Sequence, residues 1–351
     1  MSPRVRKSDF YLALRPPPLL LKTLARSKSF VPFKGLNWHT LEVNSSGTPP
    51  MKNRRCGMTI ARQLFFLLCC VPSLFAALQL DLFRYDESQP LNIEEKSAED
   101  HGDVTVHDLR FNDVSRQSMT AYMIVPQGKG PFAAVLYVHW LGGTDTSNRT
   151  EFLNEAEEVA RHGAVALLVD MPWSVPGWFS HRNMQDDYDF SIRQVQNLRR
   201  AIDVLARQGN VDSKRIAYVG HDFGATYGAI LLGVEPRIRY AVLMAGTPIL
   251  SDWFLLGTDL QSEQRDAYMK KMAPLDPANF LGKAKSVPVL LQFATKDKFI
   301  PKDKAESFAS AVSEPKEFHW YEAEHELNSQ ATTERITWLE TQLKLAPAPS
   351  N

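Results

Sequence analysis

The residues best suited to chemistry stand in three short stretches of the 351-residue chain. The first is Tyr218-Val-Gly-His-Asp-Phe-Gly-Ala225, between a predicted strand over 215–219 and a predicted helix over 225–232. Gly220 and Gly224, two residues either side of Asp222, allow a sharp turn. The Asp222 side chain then projects past the strand end, and the next backbone N–H, that of Phe223, points at whatever binds there. The second stretch is Phe293-Ala-Thr-Lys-Asp-Lys-Phe-Ile-Pro301, which offers Asp297 just past a buried apolar run. The third is Tyr321-Glu-Ala-Glu-His-Glu-Leu327, which offers His325 just past the next strand. Carboxylates and an imidazole at strand ends are residue types from which nucleophilic and general acid–base chemistry is built.

Such a set needs a scaffold that gathers distant strand ends, and the hydrophobic pattern supplies one. Residues 104–111 and 120–125 alternate with period two, as half-buried strands do. The runs 133–138 and 164–169 are continuously apolar, as in strands covered on both faces. Phe152, Ala156, Val159 and Ala160 recur at helical spacing, as do Ile192, Val195, Leu198, Ile202 and Leu205. Strands at 240–245, 287–293 and 317–321 follow, with helices around 304–312 and through Ile336, Leu339 and Leu343. This predicts an α/β fold: a mostly parallel, twisted sheet with helices on both faces, opened by an antiparallel pair. Residues 246–286 interrupt the alternation and predict a short lid insert.

On these residues the chain resembles the α/β-hydrolase superfamily over most of 101–345. The superfamily order is elbow, acid, histidine, and Asp222, Asp297 and His325 follow it. The neighbourhoods of Asp297 and His325 look most like the dienelactone-hydrolase-like and peptidase-like branches. The elbow departs from them: most relatives carry Ser or Cys, whereas Asp222 resembles the elbow of haloalkane dehalogenases and epoxide hydrolases. By position, the resemblance implies an oxyanion hole from the Leu141 and Phe223 backbone N–H groups. A carboxylate with the ordinary value of about 3.9 needs no base to ionise it, and it attacks an sp³ carbon to form an alkyl ester. Attack on an ester carbonyl would give a much poorer anhydride. Trp140, His221, Trp253 and Tyr268 are pocket candidates, and Asp252 is the alternative acid. His139 and His221 also fit turn packing, and no spacing resembles a metal site. No cofactor is expected.

Charge and composition bound the rest. Residues 1–62 hold twelve Lys/Arg against Asp9 and Glu42, and the remainder carries a net charge of −10. Such a body repels nucleic acid. Cys56, Cys69 and Cys70 are the only cysteines, so the later chain has neither a thiol nucleophile nor a disulfide framework. The expected organisation is a basic extension over 1–57, a signal-peptide-like segment over 58–77, an acidic linker over 78–100, the hydrolase domain over 101–345 and a tail over 346–351. The apolar stretch 64–78 is shorter than the ~20 residues of a spanning helix, so no stable membrane span is expected. Export is the expectation, with organelle targeting or the cytoplasm as alternatives. The expected partner is a small-molecule substrate. Two classes of function stay open: a hydrolase acting through Asp222, Asp297 and His325, and a noncatalytic binding protein on the same fold.

Overall fold

The computed structural model describes residues 80–142 and 148–346. The expected extension over 1–57, the segment over 58–77 and the end of the tail lie outside the described residues. Nine strands form one sheet: β1 (Glu94–Asp100), β2 (Val104–Asn112), β3 (Ser118–Pro126), β4 (Phe132–Val138), β5 (Ala164–Val169), β6 (Val211–His221), β7 (Ile238–Met244), β8 (Val289–Ala294) and β9 (Lys316–Tyr321). Their order is β1-β2-β3-β5-β4-β6-β7-β8-β9. Pairing is antiparallel from β1 through β3 to β5, and parallel from β5 onward.

Alternation along β4 shows how both faces are covered. Ala134, Leu136 and Val138 join one core cluster, and Ala133, Val135 and Tyr137 join the other. Helices α2 (Asp187–Ala206), α3 (Phe223–Leu232) and α5 (Lys302–Ala311) pack on the first face. Helices α1 (Leu153–Arg161) and α6 (Ser329–Leu343) pack on the second. Between β7 and β8 the insert runs through Leu250–Phe254, α4 (Ser262–Met272) and Ala278–Leu281. Its Phe254, Met272, Leu275 and Phe280 are fully buried, so the insert is anchored in the core.

The acidic linker expected over 78–100 is a correction. From Leu80 onward this segment is built into the domain. Phe83 is fully buried, packed edge-on against Phe280. Arg199, Arg200 and Arg207 on or beside α2 donate to the carbonyls of Phe83, Gln89, Pro90 and Glu87. Strand β1 makes the antiparallel opening three strands rather than two. Its residues are all exposed, so backbone pairing rather than an apolar face holds it. Glu94 pairs with Arg110 and Glu95 with His107 across the strands, a charged edge that discourages pairing with other chains.

The strand order reverses at β4: the chain moves to β5 on one side and then to β6 on the other. In open α/β sheets the crevice beyond the carboxyl ends at such a reversal is where ligands bind. The turns after β4 and β6 meet there, and the loops after β8 and β9 lie on the same edge.

Candidate active site

The turn at Asp222 follows from the glycines around it. A Cβ on Gly224 would stand 2.2 Å from the Val138 carbonyl oxygen, and one on Gly220 would stand 2.5 Å from the Gly224 backbone. Only glycine at both positions lets β6 run into α3 so closely. Asp222 itself takes φ 55° and ψ −110°, a conformation that costs on the order of 1–3 kcal/mol and persists only when its surroundings over-determine it. Here its N–H donates to the Met244 carbonyl at 2.9 Å, and its carbonyl accepts from the Thr226 N–H and hydroxyl.

The Asp222 carboxyl reaches the Leu141 N–H, a group that the hydrolase resemblance assigns to an oxyanion hole. The Leu141 N–H donates to Oδ2 at 2.9 Å. Oδ1 is buried with no hydrogen-bond partner among the described residues. The direction of the Leu141 N–H is itself controlled. His139 accepts the Met171 N–H on Nε2, so its proton sits on Nδ1 and is donated to the Trp140 carbonyl at 2.8 Å. That carbonyl and the Leu141 N–H belong to one planar peptide. His139 is thus a turn-packing residue, and burial keeps it neutral by lowering its pKa.

His325 meets Asp297 across 2.8 Å, Nδ1 to Oδ2. Asp297 Oδ1 accepts the Phe299 and Ile300 N–H groups. Burial alone would raise the Asp297 carboxyl, but His325 and these two N–H donors hold it below the usual range. The alternative acid, Asp252, is paired instead with Lys304 at 2.9 Å. Asp222 goes the other way. Burial pushes it well above the carboxylate range, and the Asp297 and Glu151 charges add to this. The Leu141 and Phe223 N–H groups pull it partly back. The expectation of a carboxyl with the ordinary proton affinity is therefore corrected: burial raises it.

The pocket candidates divide. Trp140, His221 and Trp253 surround His325, with ring centroids at 5.9, 5.1 and 6.0 Å. Phe299, not singled out in the sequence, is as close as any of them, at 5.1 Å. Tyr268 is not brought to this cluster. Its hydroxyl donates to Asp187 Oδ2 at 2.6 Å and ties the insert to α2. Trp253 and Phe299 also wall a cleft of about 220 Å³ with Thr247, Leu256, Ile300 and the Asp252–Lys304 pair. This cleft reaches the rings that cover His325. Among the described residues no group of three His, Cys, Asp or Glu side chains is placed to hold a metal, and no helix is long and apolar enough to cross a membrane.

Comparison with known proteins agrees with this architecture. The chain is similar to the acetyl xylan esterase of Paenibacillus sp. R4 (TM-score 0.62, 16% identity, 76% of this chain and 93% of that one). It is equally similar to acetyl xylan esterase 1 of Thermoanaerobacterium sp. JW/SL YS485 (TM-score 0.64, 17% identity, 77% and 93%). At such identity the likeness establishes the α/β-hydrolase fold. In sequence it is 27% identical over 242 residues to the esterase FrsA of Yersinia enterocolitica, covering 63% of this chain and 55% of that protein. It thus spans about half the length of the curated relatives it matches. The family described as "Esterase FrsA-like" matches residues 88–277, more than half of the chain. The protein belongs to the FrsA-like esterase family of the α/β-hydrolase superfamily.

Proposed function

We propose that the protein is a hydrolase of small organic substrates in which Asp222, His325 and Asp297 carry a covalent mechanism. The observation that carries this reading is the division of labour within the Asp222 carboxyl: Oδ2 rests on the Leu141 N–H while Oδ1 has no partner. In the ionised form of the carboxyl, its proton having left to solvent, Oδ1 is the attacking atom. It bonds to an sp³ carbon, and that carbon's bond to its leaving group breaks with the electron pair. The leaving group is a halide, an epoxide oxygen or the carboxylate of an ester or lactone. His325 then takes a proton from water as the water oxygen adds to Cγ of the Asp222 ester. The negative charge forms on Oδ2, already in place on the Leu141 N–H, so that donor does not have to reorganise. Collapse breaks the bond from Cγ to the alkyl oxygen, and His325 returns its proton to the departing alcohol. For an ester the sum is ordinary hydrolysis, consistent with esterase-named relatives. The cleft beside Trp253 and Phe299 suits a short apolar group on the substrate.

The test is His325→Gln, screened over halides, epoxides, lactones and esters. The first step survives and the second stalls, so the intact protein gains the mass of the alkyl group, and Asp222→Asn abolishes the gain. A single turnover in ¹⁸O-water labels Asp222 before it labels product. Absence of an adduct with a substrate that the wild type turns over would sink the covalent route.

The raised pKa of Asp222 favours a second reading. A neutral Asp222 would donate a hydrogen bond to a substrate carbonyl while His325 activates water directly. Asp222→Asn keeps a donor there, so substantial residual activity in that variant would support it.

A further inference from the structure

Asp297 and His325 are accompanied at this edge by a second carboxylate–imidazole pair. Glu151, two residues before α1, accepts the Trp140 N–H on Oε2 at 2.7 Å. Its Oε1 meets His221 Nδ1 at 2.6 Å, and His221 Nε2 lies 3.1 Å from the His325 carbonyl oxygen. A carbonyl oxygen only accepts, so His221 carries a proton on Nε2 and donates it. We propose that Glu151 is a positioning residue, one carboxylate that holds the oxyanion turn with one oxygen and, through His221, the loop of His325 with the other. This rests on Asp222, Asp297 and His325 being the reacting set.

The three groups it joins come from far apart in the chain. Trp140 follows β4, His221 ends β6, and His325 follows β9, on the far side of β7 and β8. His221 is still held by the ladder to Met244, but Trp140 and His325 lie past their strand ends, where no ladder fixes their separation from it. A displacement of about 1 Å at such a site can cost on the order of 10²-fold in rate. The Glu151 side chain is only 13% exposed, so its two charge-assisted bonds are little weakened by water. The rings of Trp140 and His221 stack at 5.4 Å, and His221 stacks on His325 at 5.1 Å. A shift in one is therefore passed to the next.

The test uses Glu151→Ala, Glu151→Gln and His221→Ala in the full chain. Glutamine preserves the geometry: its carbonyl accepts from the Trp140 N–H, and its amide donates to a neutral His221 that still donates from Nε2. Glu151→Ala is expected to lower kcat on the order of 10²-fold with little change in KM, and Glu151→Gln to recover most of the loss. His221→Ala slows hydrolysis of the covalent adduct but not its formation, because Trp140 stays held. Asp222 is faced by the Asp297 and Glu151 carboxylates and by the Leu141 and Phe223 N–H groups. Glu151→Gln exchanges a carboxylate and a doubly protonated His221 for two neutral groups, so the net charge near Asp222 is unchanged and the acidic limb of kcat/KM should stay in place.

A substrate-free measurement stands beside these. The low-field proton signal of His325 Nδ1–H bound to Asp297 persists in Glu151→Gln and is lost to exchange in Glu151→Ala and His221→Ala. Should Glu151→Ala unfold, the adduct-hydrolysis rate and the signal of His221→Ala decide: both unchanged from wild type would overturn the positioning role. If Glu151→Ala keeps the signal and a kcat within about twofold of wild type while Asp222→Asn is inactive, the positioning role is wrong and the reacting set survives. Full activity in both Asp222→Asn and His325→Gln overturns the reacting set, and this proposal with it.

Discussion

Helix α3 carries a buried acid at each end, and the two behave oppositely. Asp222 caps its N-terminus and Glu235 lies three residues past its last turn; they are 1% and 2% exposed. The helix dipole favours an anion at the first place and disfavours it at the second, by about 0.3–1 kcal/mol. The pKa directions run against that. Asp222 is pushed up, while Glu235, despite burial, is held below its usual range by Arg237 and Arg199. Arg237 donates to Glu235 at 2.7 and 2.6 Å and to Asp203 at 2.7 Å. Partners therefore outweigh the dipole. A buried carboxyl given arginines is a brace; one given only backbone N–H groups and two like charges is, on the function proposed above, the reactive group.

The sharpest way to break the comparison is to neutralise each acid in turn. Asp222→Asn is expected to cost ~10⁴ in turnover, the scale reached when a member of a catalytic triad is disabled. Glu235→Gln leaves the turnover of the folded protein unchanged. Initial rates normalised to folded fraction decide it, and equal losses would end the distinction.

Stability supplies the next contrast. Arg237→Ala strips Glu235 and Asp203 of a shared partner and should destabilise by about 3 kcal/mol in denaturant titration. Because Glu235 is lowered in the folded state, its stabilisation is present above its ordinary value of 4.5 and lost as pH falls through the lower folded one. The deficit of Arg237→Ala therefore shrinks in acid. A deficit that grew there would contradict the brace.

The smallest effect has the opposite sign. Asp222 is raised in the folded state, so the protein loses stability as pH climbs from the ordinary value of 3.8 through the folded one. Asp222→Asn removes that cost and should melt higher at neutral pH, by about 2–4 °C per kcal/mol recovered. The gain should vanish as pH approaches 3.8. A lower melting temperature at neutral pH would mean that the carboxylate is better solvated than its burial implies.

What the sequence made legible divides along similar lines. Gly220, Asp222 and Gly224 are adjacent, and the turn they form is local. Asp297 and His325 each follow an apolar run, so placing the strands placed them too. The insert was visible as a break in the strand–helix rhythm. Strand β1 was hidden because its bonds are backbone bonds and its side chains all face water. The arginines of α2 carry no signal in the apolar spacing of that helix, because their partners are the backbone carbonyls of Phe83, Gln89 and Pro90. Tyr268 looked like a pocket residue because aromatic side chains in an insert have no address without the fold. Glu151 was hidden most completely, because its meaning depends on Trp140, His221 and His325 arriving beside it. The proton affinity of Asp222 was illegible for a related reason: it is set by water that the folded site excludes.

One consequence follows from Oδ2 lying on the Leu141 N–H. On the function proposed above, the oxyanion hole already holds a ligand, tethered to the Asp222 backbone by three covalent bonds. Any carbonyl compound seeking that donor competes with a group whose effective concentration reaches ~10⁵ M or more for well-oriented intramolecular partners. On that reading the tether selects by electrophile, admitting tetrahedral carbons that need only Oδ1 and turning away planar carbonyls that need the hole. Exchanging Asp222 for serine removes the tethered oxygen together with that selection, so a single side chain separates two reaction chemistries on one unchanged scaffold.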